Sequence, residues 1–215
     1  MGCKRILPTD EWYPALAKPN VEVVTEGITE VRPHSVVAAD GTEREVDTII
    51  FGTGFHVTDV PIADRVRGRD GRTLAETWNG SMAAYKGTTV AGYPNLFFLV
   101  GPNTGLGHTS IVFMIESQIA YVLGGLRAMR SQGAHTLEVC ADAQAAYNEE
   151  LDRMTEGTVW VSGGCTSYYI DRNGHNSALW PTYTWPFRRR LREFDAAAYA
   201  LGIRAPARRE RAVAA

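Results

Sequence analysis

Glycines and small polar residues interrupt an apolar segment in the stretch NLFFLVGPNTGLGHTSIVFMIES, residues 95–117. The spacing Gly105-x-Gly107-x-x-Ser110 resembles a dinucleotide-binding fingerprint, in which glycines let the backbone approach a ligand between a strand and a helix. The match is weak, because no second strand ending in an acidic residue follows about twenty residues later. The amides and positive dipole end of the following helix would still suit an anion or a negatively charged ring. The alternative is a structural turn that packs helix on strand.

The hydrophobic pattern predicts the elements that must position this turn. Residues 47–51 and 96–100 are continuous apolar runs, which is typical of strands buried on both faces of a sheet. Shorter strands are predicted at residues 21–24 and from Ile28, and Asp40-Gly41 between β-prone flanks indicates a hairpin. The fold class that follows is α/β, with mixed sheets and flanking helices.

Apolar residues recur every three or four positions after Thr109-Ser110, which predicts a long helix capped by one of these two residues. A strand at HTLEV and a helix at DAQAAYNEELDRM follow, and the last third is rich in aromatic residues and glycine with little period. The face of the long helix predicted to be buried consists of Ile111, Ile115, Ile119, Val122 and Leu126.

Composition excludes several classes of protein. The 215 residues are 45% hydrophobic with a net charge of −2, so a substantial core is expected and neither nucleic acid nor an acidic membrane is an expected partner. Arginine runs at 188–190 and 208–209 are interpreted as solvated surface. Three distant cysteines, Cys3, Cys140 and Cys165, favour a reduced, cytoplasmic setting without a zinc site. No unbroken apolar run predicts a membrane span or a signal peptide.

Several segments together resemble a known family. GCKR, PNVEVV, DGTEREVDTIIFGTGF, YPNLFFLVGPNTGLGHTSIVFMIESQ and GGCTSYYIDRNGHNSALWP, in this order, are similar to the C-terminal portion of class B flavoprotein monooxygenases. This family comprises the FAD- and NADPH-dependent Baeyer-Villiger and flavin-containing monooxygenases. The resemblance extends from Gly2 to about Tyr199. The family's FAD fingerprint, its NADPH fingerprint and the signature between them are not found, so we expect the chain to be incomplete and inactive alone.

The resemblance implies positions for two cations and a glycine segment. Lys4 matches a lysine near the 2′-phosphate of NADPH, and Arg5 matches the catalytic arginine beside the flavin. A compact ammonium suits a phosphate, and a permanent guanidinium can hold an anionic flavin peroxide. Without the resemblance, both cations would be interpreted as surface. Gly52, Thr53 and Gly54 match a cofactor-binding segment at the junction of the two nucleotide-binding domains.

The resemblance also places the flavin ring at the turn before the long helix. Tyr168 stands where relatives often have a tryptophan that contacts the nicotinamide cofactor. His108 is interpreted as tuning the site or capping the helix. The substrate side is interpreted as lined by Tyr169, Asn173, Trp180 and Trp185, with core packing as the alternative for both tryptophans. The residues of the turn implied to contact the flavin ring are Thr109, Ser110 and Ile111, with Asn103 less closely involved.

The function implied is insertion of one oxygen atom of O2 into a ketone, through a flavin C4a-peroxide. Residues 1–50 would end the NADPH-binding domain, 51–130 would belong to the FAD-binding domain, and 131–215 would form a C-terminal α/β and aromatic segment packed on it. Three alternatives stay open. They are an N- or S-oxidising flavin monooxygenase, a non-catalytic remnant or subunit that needs a separate nucleotide-binding half or self-associates, and a stand-alone flavin-binding module.

Overall fold

The computed structural model describes residues 4–164 and 166–203. It divides the chain into two compact units, Leu7–Phe55 on one side and Met1–Ile6 with His56–Ala215 on the other. Cys3, Cys165 and the arginines at 208–209 lie outside the described residues. Cys140 is an exposed free cysteine.

The smaller unit is a short helix followed by a three-stranded antiparallel sheet. Helix α1 is Trp12–Leu16, and strands β1, β2 and β3 are Ile28–Val31, Ser35–Ala38 and Glu43–Glu45. The strands pair in sequence order, with Val36 opposite both Val31 and Arg44. The predicted hairpin at Asp40-Gly41 is confirmed, since these residues join β2 to β3 and Gly41 has a φ of 84°.

The larger unit contains the long helix and most of the regular structure. It has a two-stranded antiparallel sheet, β4–β5, in which Val139 pairs with Tyr199. The strand predicted at residues 135–139 and the helix predicted at residues 142–154 are confirmed, to within one residue at each end. The elements of this unit are α2 (Leu74–Trp78), α3 (Ile111–Ser131), β4 (Thr136–Val139), α4 (Ala141–Thr155), α5 (Val159–Ser162), α6 (Thr184–Leu191), β5 (Tyr199–Gly202) and the 3-10 helices Pro61–Asp64 and Ala196–Ala198.

Short elements that hydrophobic period does not predict are stabilised locally or by packing. Helix α2 begins at a capping box, in which Thr73 and Glu76 each accept a backbone hydrogen bond from the other. Helix α6 buries Phe187 and Leu191 against the main core. The main core of the larger unit combines α3, α4, α6 and both β strands through Met114, Tyr121, Leu137, Tyr147, Leu151, Trp180, Phe187 and Tyr199.

The predicted buried face of α3 is wrong except at Ile111, which is partly buried and packs against the main core. The buried residues of the helix are Met114, Ser117, Gln118, Tyr121 and Gly125. Three apolar side chains outside this set, Ile119, Leu123 and Leu126, are 42–44% exposed. The buried face therefore combines the apolar Met114 and aromatic Tyr121 with the polar Ser117 and Gln118. Ser117 accepts a hydrogen bond from Arg188 of α6. Periodicity identified the helix, but two candidate faces were apolar enough to be buried.

Helix α3 also meets the length and composition expected of a membrane-crossing helix. The same test is passed by core helices, and one face of α3 is buried against the main core. The helix is therefore weak evidence for a membrane span.

Three predicted strands are absent from the described residues. Residues 21–24, 47–51 and 96–100 form neither helix nor strand. Ile50 and Phe51 are 90% and 80% exposed. A strand forms only when a neighbour pairs with its backbone groups in a ladder. Residues 96–100 have isolated bonds instead, since Phe98 N–H donates to Thr88 O at 2.8 Å and Val100 N–H to Gln118 Oε1 at 2.9 Å.

Candidate functional site

The turn before α3 is paired with a second loop of the larger unit. Asn103 N–H donates to Ser177 O at 3.0 Å, Gly105 N–H donates to Ala178 O at 2.9 Å, and Trp180 N–H donates back to Gly105 O at 2.9 Å. A Cβ at position 105 would lie 2.9 Å from Ala178 O, so this close approach requires glycine. The structural interpretation of Gly105 is therefore supported, and the pairing holds the rest of the turn in place.

Asn103 is part of this pairing. Its side chain is 6% exposed and its amide donates to Asn176 O at 2.6 Å. Its backbone φ is 56°, a conformation that asparagine tolerates better than most residues. The side-chain amide of Asn103 therefore already donates to a backbone carbonyl of the protein. The predicted contact of Asn103 with a ligand stays a prediction.

Arg5 is joined to the turn by one strong hydrogen bond. Its Nη1 donates to the carbonyl oxygen of Leu106 at 2.7 Å, across 101 positions of sequence. The side chain is otherwise exposed, so further guanidinium N–H groups stay available for a ligand. The structure thereby brings together two sequence-predicted features, the arginine and the glycine turn.

The start of α3 is open on one side. Thr109 and Ser110 are exposed, and Ser110 lies at the N-cap without a side-chain hydrogen bond to the helix. The predicted cap position is therefore confirmed for Ser110, but its hydroxyl neither donates nor accepts a capping hydrogen bond, and the amides of the first turn receive no side-chain cap. A Cβ on Gly107 would meet no atom closer than 3.9 Å. Ile111 is partly buried and packs against the main core.

His108 and the two tryptophans have distinct surroundings. His108 Nε2 lies 3.3 Å from Thr182 O, and its ring is 6.4 Å from the ring of Tyr183. Trp180 is 1% exposed and belongs to the main core, whereas Trp185 is 73% exposed. The core interpretation is confirmed for Trp180 alone.

Tyr168 and Tyr169 form a tilted, hydrogen-bonded pair. Their ring centroids are 4.3 Å apart with 40° between the ring planes, and their hydroxyl groups are hydrogen-bonded at 3.1 Å. Burial raises the pKa of Tyr169 to about 12, the hydrogen bond with Tyr168 adds to this, and the positive charge of Arg5 acts in the opposite direction. Tyr168 thus lies in the same neighbourhood as Arg5, through Tyr169.

The remaining predicted residues are solvent-exposed. Lys4 lies on an exposed bend beside Arg5. Gly52, Thr53 and Gly54 belong to the smaller unit, in an exposed segment without regular structure. Gly54 has a φ of 90°, which a residue with a Cβ adopts only with strain.

An apolar cavity of about 340 Å³ opens beside the turn. Leu106, whose carbonyl binds Arg5, forms part of its wall together with Tyr169 and Leu179. Trp78 and Phe98 line another part, with ring centroids 6.0 Å apart. Sequence reasoning missed Leu106, Trp78 and Phe98 as lining residues, because an apolar residue in a loop carries no signal of which cavity it faces.

Known proteins with similar sequences identify the family of this chain. No protein-family model matches the chain. It is 53% identical over 208 residues to a Baeyer-Villiger monooxygenase of Streptomyces coelicolor, and 54% identical over 202 residues to one of Pseudomonas aeruginosa. These matches cover 96% and 94% of this chain but 40% and 38% of the relatives, so the chain spans about two-fifths of their length.

A solved structure is similar over the same extent. The crystal structure of cyclohexanone monooxygenase from Rhodococcus sp. Phi1 bound to NADP+ superposes with a TM-score of 0.79 at 25% identity. The match covers 94% of this chain and 39% of that one. Fold and sequence therefore define the class as flavoprotein monooxygenase. Within that class, the chain belongs to the class B flavoprotein monooxygenases and corresponds to their C-terminal portion.

Proposed function

We propose that this chain is the C-terminal part of an FAD- and NADPH-dependent monooxygenase that converts ketones to esters. The net reaction consumes one ketone, O2, NADPH and a proton and yields an ester, NADP+ and water. The observation that supports the proposal most directly is the hydrogen bond from Arg5 to Leu106 O, which holds a permanent cation at the open turn before α3.

The residues of the turn fit an isoalloxazine ring. Gly107 leaves room for a flat group, and the exposed, uncapped start of the 21-residue helix α3 offers amides and a positive dipole end. Thr109, Ser110 and Ile111 would hold the ring there, with Asn103 less closely involved. When bound there, FAD would supply the redox chemistry that links NADPH to O2.

The chain's own residues would act on charge and position. Arg5 would stabilise negative charge that develops during oxygen transfer, because one of its N–H groups is fixed by Leu106 O while others stay free. Lys4, exposed beside it, would bind the 2′-phosphate of NADPH. Gly52, Thr53 and Gly54 would allow close approach of backbone to cofactor, and Tyr168 would contact the nicotinamide through its aromatic face.

The division of the chain among domains is part of the same proposal. Residues 1–50 would complete an NADPH-binding domain, 51–130 an FAD-binding domain, and 131–215 would pack on the latter. A cytoplasmic location would accompany these cofactors, which are soluble intracellular compounds.

The remainder of such an enzyme is the partner that the surface favours. Apolar side chains are exposed along α3, at Val112, Ile119, Leu123 and Leu126, and at Ile50 and Phe51 of the smaller unit. We propose that a nucleotide-binding portion, in the same polypeptide or another, covers these residues. Absence of any association with the separately produced N-terminal part of the S. coelicolor relative would contradict a two-chain arrangement.

A chimaera tests the enzymatic proposal. The C-terminal part of the S. coelicolor relative is replaced by this chain, and NADPH consumption and ester formation are measured with a ketone and a sulfide as substrates. We expect FAD loading and ester formation. Arg5→Ala should lower the turnover number for the ester about 10²- to 10³-fold, the cost of removing a group that stabilises an oxyanion.

The control is Arg65→Ala, which removes an exposed arginine elsewhere in the larger unit. Ester formation by Arg5→Ala at the rate of the unmodified chimaera would exclude the Baeyer-Villiger assignment of Arg5. Sulfide oxidation without ester formation by the unmodified chimaera would favour heteroatom oxidation. Tight stoichiometric binding of FAD by the 215-residue chain alone would instead favour the stand-alone module.

A further inference from the structure

A small polar cavity lies between helix α4 and the loop that pairs with the turn before α3. It measures about 150 Å³, and its lining includes Asn148 and Asp152 of α4 and His175, Asn176 and Ser177 of the loop. Such a volume holds several water molecules, each of which needs two to four polar partners. The cavity therefore suits a small, hydrated ligand.

Two neutral side-chain oxygens of the lining accept no hydrogen bond from residues 4–164 and 166–203. Ser177 is 3% exposed, and its Oγ is buried without a partner in that part of the chain. The amide nitrogen of Asn148 donates to Gln144 O at 2.7 Å and to Ala84 O at 3.5 Å, so Oδ1 is the remaining polar atom of that side chain. A buried oxygen without a partner costs free energy unless a ligand or water contacts it.

The same cavity carries a negative charge at an unfavourable position on its helix. Asp152 lies in the last turn of α4, where the negative end of the helix dipole disfavours a carboxylate. Its Oδ1 is 3.7 Å from His175 Nδ1, which is too long for a hydrogen bond. Both atoms can bind one cation at that separation, since the bonds of a metal ion to carboxylate oxygen and imidazole nitrogen are about 2.0–2.2 Å long. A cation there would offset the carboxylate and the helix dipole together.

The donor set selects the class of cation. Among the described residues, no group of three or more His, Cys, Asp or Glu side chains could hold a metal ion, so neutral oxygens and water must complete any site. A structural zinc site instead takes four protein ligands. Mg²⁺ keeps several waters and binds through one or two carboxylates, and Mn²⁺ accepts similar oxygen ligands.

We propose that a partly hydrated divalent cation of the Mg²⁺ and Mn²⁺ type binds in this cavity. Asp152 and His175 are its ligands, and water and the oxygens of Asn148 and Ser177 surround it. The cation joins α4 to the loop that holds the turn before α3, because Ser177 O accepts a hydrogen bond from Asn103 N–H at 3.0 Å. This site goes beyond the proposed function, which uses no metal ion, and its role is to stabilise the packing behind the turn.

The test uses Mn²⁺ alone, titrated into the ¹⁵N-labelled 215-residue chain. The paramagnetic ion should first broaden the amide signals of residues 148–152 and 174–177, and excess Mg²⁺ should restore them. Electron paramagnetic resonance of free Mn²⁺ measures the dissociation constant. We expect about 0.1–1 mM, the range of sites with few charged ligands.

Three variants locate the cation. Asp152→Asn should weaken Mn²⁺ binding at least about tenfold, because substitutions around a metal site commonly cost that much affinity. Ser177→Ala should give a smaller loss, since its hydroxyl is neutral. Glu149→Gln removes an exposed carboxylate from the same helix, three residues earlier, and is the matched control that should leave the affinity unchanged.

Urea unfolding separates a cation site from a structural role of Asp152. With a chelator and no added cation, Asp152→Asn should be at least as stable as the parent chain, since it removes an unfavourable charge from the end of α4. Added Mg²⁺ should raise the urea midpoint of the parent in a concentration-dependent way and leave that of Asp152→Asn unchanged.

Several results would overturn the proposal. They are the absence of saturable Mn²⁺ binding, broadening centred elsewhere, failure of Mg²⁺ to displace Mn²⁺, and equal Mn²⁺ affinity in Asp152→Asn and the parent. A loss of stability in Asp152→Asn that is the same with chelator and with Mg²⁺ would also contradict it. These measurements need neither FAD nor turnover, so their outcome is independent of the chimaera.

Discussion

Hydrogen bonds to Asp195 join the main core of the larger unit to its C-terminal segment. The Asp195 carboxylate accepts hydrogen bonds from Tyr85 and Tyr121, and Lys86 Nζ lies 3.0 Å from its Oδ2. Lys86 is 9% exposed and also faces both tyrosine rings, 5.3 and 4.7 Å from their centroids. The lysine is therefore buried in a site where one carboxylate and two aromatic faces balance its charge.

The pKa values of this cluster follow from burial and pairing. Burial acts to raise the pKa of Asp195, but the hydrogen bonds from Tyr121, Tyr85 and Lys86 hold it below its ordinary value. Burial lowers the pKa of Lys86 more than Asp195 raises it. The acid-side change in stability comes from the carboxylate, because the pKa of Asp195 lies below its ordinary value in the fold.

We expect Asp195→Asn to lower the free energy of unfolding by about 1–3 kcal/mol at pH 7, because a buried ammonium loses its counter-ion. The lower end of this range is favoured, because the Asp195 side chain is 36% exposed and solvent screens its attraction to Lys86. Since the pKa of Asp195 is depressed in the fold, its contribution is present above the unfolded pKa and is lost as pH falls through the folded value. The difference between variant and parent should therefore shrink below about pH 4.

Urea unfolding at several pH values measures this difference. Asp10→Asn, the same change at an exposed position, is the control and should stay within about 0.5 kcal/mol of the parent. An equal loss in both variants, or a difference that does not depend on pH, would contradict the assignment of Asp195 as the counter-ion of Lys86.

At the scale of elements, α3 has two apolar faces, of which one is buried in the main core and the other is exposed. Met114 and Tyr121 on one face are 0% and 1% exposed and belong to the main core. Ile119 and Leu123 on the other are 42% and 44% exposed. A soluble helix seldom exposes such a stripe unless another surface covers it.

We expect Met114→Ala to destabilise the chain by about 2–5 kcal/mol, since it leaves a cavity in the core. Ile119→Gln should change stability by less than about 1 kcal/mol and should reduce self-association of the isolated chain. Urea unfolding and sedimentation velocity measure the two effects. Comparable destabilisation by both substitutions would mean that Ile119 is buried in solution.

At the scale of the whole molecule, the two units differ in how much they bury. Among residues 7–55, Ser35 and Ala38 are the buried ones, and all four residues of β1 are exposed. The larger unit has several buried clusters. Little buried apolar surface stabilises the small sheet against opening.

Hydrogen exchange should show this contrast. Amides of β2 in the isolated chain should exchange at least about a hundredfold faster than those in the middle of α3 and α4, after correction for intrinsic rates. Exchange measured by NMR or mass spectrometry tests it. The N-terminal part of the S. coelicolor relative should slow exchange in the smaller unit if it covers that unit. Equal protection of β2 and α4 would contradict the prediction.

Local signals in the sequence predicted part of this fold. Asp40-Gly41 predicts its hairpin because few dipeptides suit that turn, and the segment 136–155 shows clear strand and helix periods. Residues 47–51 and 96–100 have the composition of buried strands yet form none here, because a strand depends on a partner that lies elsewhere in the chain or beyond it. The face of α3 was mispredicted for a related reason, since both candidate faces are apolar and only packing selects one.

The sequence by itself determined the family, the hairpin and the long helix. It also led to the hypothesis that Arg5 and the glycine turn belong to one site. These depend on residue types and short spacings, which are properties of the chain. The tertiary structure decided that Arg5 binds Leu106 O, that Gly105 is required by Ala178 O, and that Leu106, Tyr169 and Leu179 line one apolar cavity. Such contacts join residues about 60 to 100 positions apart, and their geometry arises only when the loops pack together.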